Sequence, residues 1–202
     1  MTMKNIIFTF NIIILFGLFT ENVAGQITFV PVETKLQLQE GNNELTCLCS
    51  SMTVKFPLKR EVKVLTQANF VKTDNQTIQI ISLKYDGYNK DTKEENLNNQ
   101  KELLDIYSKY ELEYFKNELG VEVVNHNSQW VVTKSKGWFI WYFKVGKVPT
   151  QADTQTEIQL FATTIIRNKI LIINAPILTG GDFSKAALIV NDMMESMIIS
   201  KP

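Results

Sequence analysis

Apolar and polar positions alternate along much of the first half of the chain, which is the pattern of half-buried β-strands. The alternation runs through three segments separated by turn-forming residues: 26–39, 44–58 and 60–88. In the second segment, Leu45, Cys47 and Cys49 fall on one strand face, and Pro31 in the first marks an edge or entry position. This half of the chain is therefore expected to form several strands.

Residues 91–120 carry a helical pattern instead. Their apolar side chains recur at helical spacing and predict a single stripe of Leu103, Ile106, Tyr107, Tyr110 and Tyr114. Thr92 and Glu95 have the spacing of a capping box, in which the two side chains bond free backbone N–H groups at a helix start. Gly120 is expected to end the helix, because glycine commonly follows the last helical residue. The pattern predicts one long amphipathic helix.

A block of strands and a second helix complete the chain. Residues 121–145 read as strands with turns at 125–128 and 135–137, and residues 156–177 read as a hairpin turning at 167–169. Residues 180–200 are expected to form a terminal helix that Asp182 caps. The order of these elements predicts an α+β domain in which helices cover a central antiparallel β-sheet.

Two of the 3 Trp residues lie within one short aromatic run, residues 138–143. On an extended strand, Phe139, Trp141 and Phe143 share a wholly apolar face that is expected to be core. Trp138 and Tyr142 lie on the other face and are candidates for a partner- or ligand-binding surface, to which Trp130 on the preceding strand would add a third aromatic side chain. Burial in the core is the competing interpretation for these three residues.

The first 25 residues have the pattern of a secretory signal peptide. Lys4 precedes an apolar run from Ile6 to Phe19, and Val23-Ala24-Gly25 places small or permissive residues before Gln26. The run is shorter than the roughly 20 apolar residues needed to span a bilayer, although an uncleaved anchor stays open as an alternative. We expect a secreted or periplasmic protein in which residues 26–202 form a single domain without a membrane-spanning segment.

Charge and motifs argue against several function classes. The chain has 21 Lys plus Arg against 21 Asp plus Glu, which gives no electrostatic reason to expect nucleic acid as a partner. His126 is the only histidine, and no nucleophile, phosphate-loop or dinucleotide motif accompanies it. We therefore expect no enzyme activity, no cofactor and no metal site.

Cys47 and Cys49 admit two interpretations. Residues i and i+2 of a strand lie close to the upper limit of Cα separation for a disulfide, so two small buried side chains on one face are favoured. A strained redox disulfide is the alternative. The sequence leaves open whether these are free thiols.

The order of elements resembles that of the PsbP-like superfamily, which includes the bacterial DcrB-type envelope proteins. The residues that carry the resemblance are "KEENLNNQKELLDIY" in the first helix, the strands at 129–145 and 156–174, and the closing "GGDFSKAALIVNDMMESMII". The resemblance implies an α/β/α sandwich and non-catalytic roles such as docking to another protein. It supplies no functional residues.

The leading hypothesis is an exported, non-enzymatic domain that binds another envelope or secreted protein in an assembly, stability or adaptor role. The alternative is a carrier of an apolar or lipid-like molecule in a pocket between sheet and helix. Trp138, Tyr142 and the methionines of the last helix, Met193, Met194 and Met197, would line that pocket.

Overall fold

The computed structural model describes twelve strands and two helices over residues 27–39, 43–49, 52–65, 69–93, 95–134, 136–146 and 156–200. The first seven strands are β1 (Thr28–Val32), β2 (Thr34–Gln39), β3 (Glu44–Cys49), β4 (Met52–Pro57), β5 (Val62–Val64), β6 (Phe70–Thr73) and β7 (Gln76–Asp86). The remaining elements are α1 (Leu97–Asn117), β8 (Val123–Thr133), β9 (Lys136–Val145), β10 (Thr156–Ile166), β11 (Lys169–Leu178), α2 (Phe183–Ser196) and β12 (Ile198–Ser200).

Eight of the strands form one antiparallel sheet. Seven follow the order β5-β6-β7-β11-β10-β9-β8, and β1 pairs with the second half of β7. Strands β10 and β11 form a hairpin whose turn residues, Arg167 and Asn168, both have positive φ angles, as a two-residue hairpin turn with the correct twist requires. The predicted α+β class, with a mostly antiparallel sheet and two helices, is confirmed.

A second, four-stranded sheet has the order β12-β4-β3-β2. The sequence predicted β12 as part of the terminal helix. Helix α2 ends at Ser196 instead, and Ile199 of β12 pairs with Val54 of β4. The reason is local, because an extended Met197 (φ −55°, ψ 128°) breaks the helix and turns the chain back onto the small sheet.

The two faces of the large sheet are covered by different elements. One face packs against α1 in a cluster that includes Trp141, Phe143 and Phe161. The other face packs against α2 and the small sheet in a cluster that includes Trp138, Cys47 and Met193. As predicted, alternate residues of β9 therefore enter opposite clusters.

Helix α1 begins later than the sequence predicted. Asn96 occupies the N-cap position and makes no side-chain capping bond, so the predicted capping box of Thr92 and Glu95 is wrong. Thr92 is buried and shares a hydrogen bond with the hydroxyl of Tyr85 at 2.5 Å instead. The buried face of α1 is also rotated about the helix axis relative to the predicted stripe. Tyr110 and Tyr114, which were predicted to lie on it, are only partly buried. The buried face consists of Leu103, Leu104, Tyr107, Glu111, Leu112 and Phe115.

No helix among the described residues is long and apolar enough to cross a membrane. The segment predicted as a signal peptide, residues 1–25, lies outside the described residues.

The two helix starts give a matched test of capping. Asp182 accepts hydrogen bonds from the backbone N–H groups of Ser184 and Lys185 at 2.8 and 3.2 Å. Asp182→Ala should therefore lower the free energy of unfolding by about 1 kcal/mol, measured by urea denaturation. Glu95→Ala, before the uncapped start of α1, should change it little; equal losses in the two variants would contradict this assignment.

Candidate functional site

The three aromatic residues predicted to form a binding surface do not lie together. Trp138 is fully buried at 0% exposure, in the cluster beneath α2 and the small sheet. Tyr142 lies on that same face, partly buried, with its ring 5.0 Å from the ring of Phe183 at the start of α2. Trp130 is paired opposite Phe139 and packs on the α1 face. The predicted patch of Trp130, Trp138 and Tyr142 is therefore not formed, because the strand register places Trp130 on the opposite face from the other two.

Trp130 lies instead in a groove between α1 and β8. The groove has a volume of about 450 Å³. We call it the β8 groove and define it by its lining residues: Asn98, Lys101, Glu102 and Asp105 from α1, Ser128, Gln129 and Trp130 from β8, and Phe139 from β9. Trp130 and Phe139 give it an aromatic floor, and polar side chains form its walls.

Helical spacing explains the α1 wall. Positions three, four and seven residues apart lie on one face of a helix, and Asn98, Lys101, Glu102 and Asp105 have these separations. Glu102 is paired with Lys90 at 2.7 Å and Asp105 with Lys109 at 2.6 Å. Lys101 is exposed and has no ion pair within the described ranges. This wall therefore presents one cation whose charge the described residues leave unmatched.

The β8 wall is an edge strand of the large sheet. The central part of β8, residues 125–129, is exposed, and residues 125–128 of it were predicted as a turn. That prediction was wrong because the chain continues as a strand through these residues, with one extra residue accommodated at Asn125. Its φ of 52° coincides with a register shift between Val124 and Asn127, which is the signature of a β-bulge.

Gly137 lets the Trp130 ring lie flat on the sheet. A Cβ atom at position 137 would stand 2.1 Å from Cη2 and 2.2 Å from Cζ2 of Trp130, far inside any permitted contact. The indole therefore occupies the space that a side chain would take, a cross-strand arrangement known to compensate for glycine in sheets. Gly137 fixes the floor of the β8 groove.

His126 lies at the bulged end of the groove. It shares a strand face with Ser128 and Trp130, and its ring stands 6.3 Å from Trp141 in an edge-to-face arrangement. Partial burial lowers the pKa of His126, while the nearby charge of Asp105 opposes this change. An imidazole packed edge-to-face with an indole fits a role in packing or recognition.

The interior of the α1 face holds one unusual acid. Glu111 is 1% exposed, and its Oε1 atom has no hydrogen-bond partner. Burial raises the pKa of Glu111 to about 7, and a hydrogen bond with Tyr107 one turn earlier only partly opposes the effect. Both side chains are sealed between helix and sheet, so the carboxyl group of Glu111 is not accessible to a substrate.

Sequence reasoning found Trp130 but missed the α1 side of the groove. The spacing of Asn98, Lys101, Glu102 and Asp105 was visible as a polar helix face, but such faces are the rule on amphipathic helices. Only the position of β8 beside this face distinguishes it from ordinary solvated surface. Among the described residues, no group of three or more His, Cys, Asp or Glu side chains is placed to hold a metal ion.

Comparisons with known proteins assign no family to the chain. No protein-family model matches it, and no curated protein matches it. The chain is similar to the solution structure of cyanobacterial PsbP (CyanoP) from Synechocystis sp. PCC 6803, with a TM-score of 0.42 and 8% sequence identity. The match covers 92% of this chain and 99% of that chain. A similarity this low carries no argument about family or function.

The packing of Trp130 on Gly137 is testable by a double-mutant cycle. Gly137→Ala should displace the indole and lower the free energy of unfolding by about 1–3 kcal/mol, as other overpacked sites do. In a Trp130→Ala background the same substitution should be neutral or stabilising, because alanine suits a strand interior better than glycine. Urea denaturation of the four proteins measures the coupling, and an equal cost in both backgrounds would contradict the contact.

Glu111 should make stability depend on pH. The folded state holds this proton up to a pKa of about 7, whereas the unperturbed value is 4.5, so the free energy of unfolding falls as pH rises between these values. The full shift corresponds to about 3 kcal/mol. Glu111→Gln should therefore stabilise the protein at about pH 8, leave it nearly unchanged at about pH 5, and flatten the curve between them.

The control for this experiment is Glu113→Gln, which lies on the exposed side of α1 and is paired with Lys116. It should leave the decline in stability with pH in place. His126 is present in all three proteins, so its own titration cancels from the comparison. A free-energy difference between wild type and Glu111→Gln that stays constant between about pH 5 and pH 7 would show that Glu111 is ionised in the folded state across that range.

Proposed function

We propose that this chain is an exported, non-enzymatic domain that binds a partner protein through the β8 groove. The occupant is an extended segment of the partner, which adds a strand to the free edge of β8 and places an apolar side chain on Trp130. The export part of the proposal rests on the amino-terminal sequence pattern. The binding part rests on the geometry of the groove.

The observation that carries the proposal is the composition of β8. This strand is 11 residues long and contains no charged residue, although it is an edge of the large sheet among the residues described. Proteins usually protect long edges with charges, proline or short strands, because an open edge pairs with other chains. An unprotected edge beside an aromatic groove has the features of a site for strand addition.

The other edges of the two sheets carry such protection. Strands β5 and β12 have three residues each, β1 contains Pro31, and β2 carries the exposed Lys35. The bulge in β8 gives partial protection, but only at one end of the strand. The contrast singles out the stretch from Asn127 to Val132 as the docking edge.

The groove also specifies the chemistry of the partner segment. Trp130 is the kind of anchor residue that dominates binding energy when a partner buries it. Exposed Lys101 on the facing wall favours an acidic side chain in the segment, since a complementary charge raises the association rate and fixes the register. The partner segment is therefore extended, carries an apolar anchor and has an acidic residue within reach of α1.

The proposal takes the fold as PsbP-like, an α/β/α sandwich of the kind found in DcrB-type envelope proteins. What supports this is the order of elements, together with the positions of α1 and α2 in core clusters on opposite faces of the large sheet. The proposed setting is the periplasm or the extracellular space, where the partner is another envelope or secreted protein.

The apolar-carrier hypothesis receives no specific support. The wall proposed for it contains Trp138, Met193 and Met194, all of which pack into the core cluster beneath α2 with at most 3% exposure. A ligand at this position would have to displace core side chains.

Site-specific photocrosslinking in the native cells tests the docking edge. A photoreactive residue at Gln129 should link to one protein, whereas the same residue at Leu188, 59% exposed on α2, should not. With that protein purified, Trp130→Ala should weaken binding by at least about tenfold, measured by calorimetry. Ser128→Lys should also weaken it, because a charge protects the edge.

Leu188→Lys is the matched control for the charge insertion and should leave the dissociation constant unchanged. Identical crosslinks at Gln129 and Leu188 would contradict the proposal. So would a dissociation constant that neither Trp130→Ala nor Ser128→Lys alters while both variants stay folded.

A further inference from the structure

The two cysteines are brought together in a way that simple core packing does not require. Cys47 and Cys49 are free, wholly buried, and on the same face of β3, with their Sγ atoms 2.8 Å apart. An extended strand holds the Cα atoms of such residues near the upper limit for a disulfide, but here the side chains lean toward each other. The two sulfur atoms need only approach by less than about 1 Å to reach bonding distance.

The surroundings of Cys49 favour its thiolate. The hydrogen bond from Cys47 lowers the pKa of Cys49, and Thr34, Lys169 and Ser82 act in the same direction against the effect of burial. The pKa of Cys47 is raised by the same pairing. The two thiols are therefore unequal, and Cys49 is the one prepared to react.

The position of Cys49 in the sheet provides a route for reagents. It is the last residue of β3, and its partners on either side, Thr34 and Met52, are the first residues of β2 and β4. Fraying at strand ends requires far less free energy than global unfolding. Cys49 can thus be exposed by local opening, whereas Cys47, two residues farther in, remains covered.

We propose that Cys47 and Cys49 form an oxidisable dithiol that closes to an intrastrand disulfide within β3. The oxidant is a small-molecule or protein disulfide. The Cys49 thiolate attacks one of its sulfur atoms, forming a mixed disulfide and releasing the first thiol. Cys47, after losing its proton, then attacks Sγ of Cys49 and releases the second thiol. Two thiols of the chain lose two protons and two electrons, and the oxidant gains both.

This inference goes beyond partner binding, because the dithiol lies in the cluster beneath α2 and the β8 groove opens on the α1 face. An experiment that contradicts the dithiol therefore leaves the proposed partner binding at the β8 groove untouched, and the reverse also holds. A modification at Cys49 acts on the small sheet and its packing with α2, and leaves Trp130 untouched.

Intact-mass measurement after titration with glutathione disulfide tests the proposal on the full, reduced chain. The wild-type protein should lose the mass of two hydrogen atoms, remain monomeric, carry no glutathione, and resist alkylation after denaturation. Cys47→Ser should instead trap one glutathione on Cys49, at a rate at least about tenfold above that of Cys49→Ser. A repeat in denaturant should need a more oxidising mixture, because unfolding removes the alignment of the two sulfur atoms.

Three results would overturn the proposal: a wild-type chain with both thiols free at every glutathione ratio, oxidation that yields only linked dimers, or native thiols that are harder to oxidise than denatured ones. Equal glutathione uptake by the two serine variants would overturn the assignment of Cys49 as the attacking thiol. The wild-type readout needs no substitution, so it decides the disulfide even if a variant fails to fold.

Discussion

The structure depends on a central group of strands that is buried on both faces. Trp141 of β9 stands directly opposite Phe161 of β10, and their rings stack at 4.0 Å with an angle of 7° between planes. Phe115 of α1 meets Phe143 edge-on at 5.0 Å and so anchors the helix to this stack. With apolar side chains above and below, strands β9, β10 and β11 must be covered on each side, which requires α1 on one face and α2 with the small sheet on the other.

Helix α1 consequently has two roles on two of its sides. Its buried side seals the aromatic stack and encloses Glu111, whose carboxyl group gains no compensating charge there. Its polar side, at Asn98, Lys101 and Asp105, faces β8 and makes one wall of the groove. The rigidity of the buried side holds the polar side in place, which is the arrangement that recognition by preformed surfaces requires.

The sequence predicts elements well here because hydrophobic periodicity reports burial directly. The alternation of Phe139, Trp141 and Phe143 correctly identified one core face, and the run of Leu103 and Tyr107 correctly identified α1. Hydrophobic periodicity does not specify which residues of neighbouring strands pair, because that register depends on the length of the turn between them. Without knowing that Trp130 pairs with Phe139, no sequence argument places Trp130 opposite to Trp138. The small sheet was not predicted for the same reason, because the pairing of Ile199 with Val54 joins segments that are distant in the sequence.

The order of strands in the large sheet has a consequence for how the chain reaches its native state. Strand β11 lies between β7 and β10, so Gln79 pairs with the nearby Phe70 on one side but finds its partner on the other side only at Asn174. Pairings across such long sequence separations slow folding, because the entropy of closing the loop is lost before the contacts form. During synthesis, β7 and β10 cannot be joined until β11 has been made, and a ribosome-bound chain that lacks β11 has no complete large sheet. The chain thus completes the centre of its large sheet last.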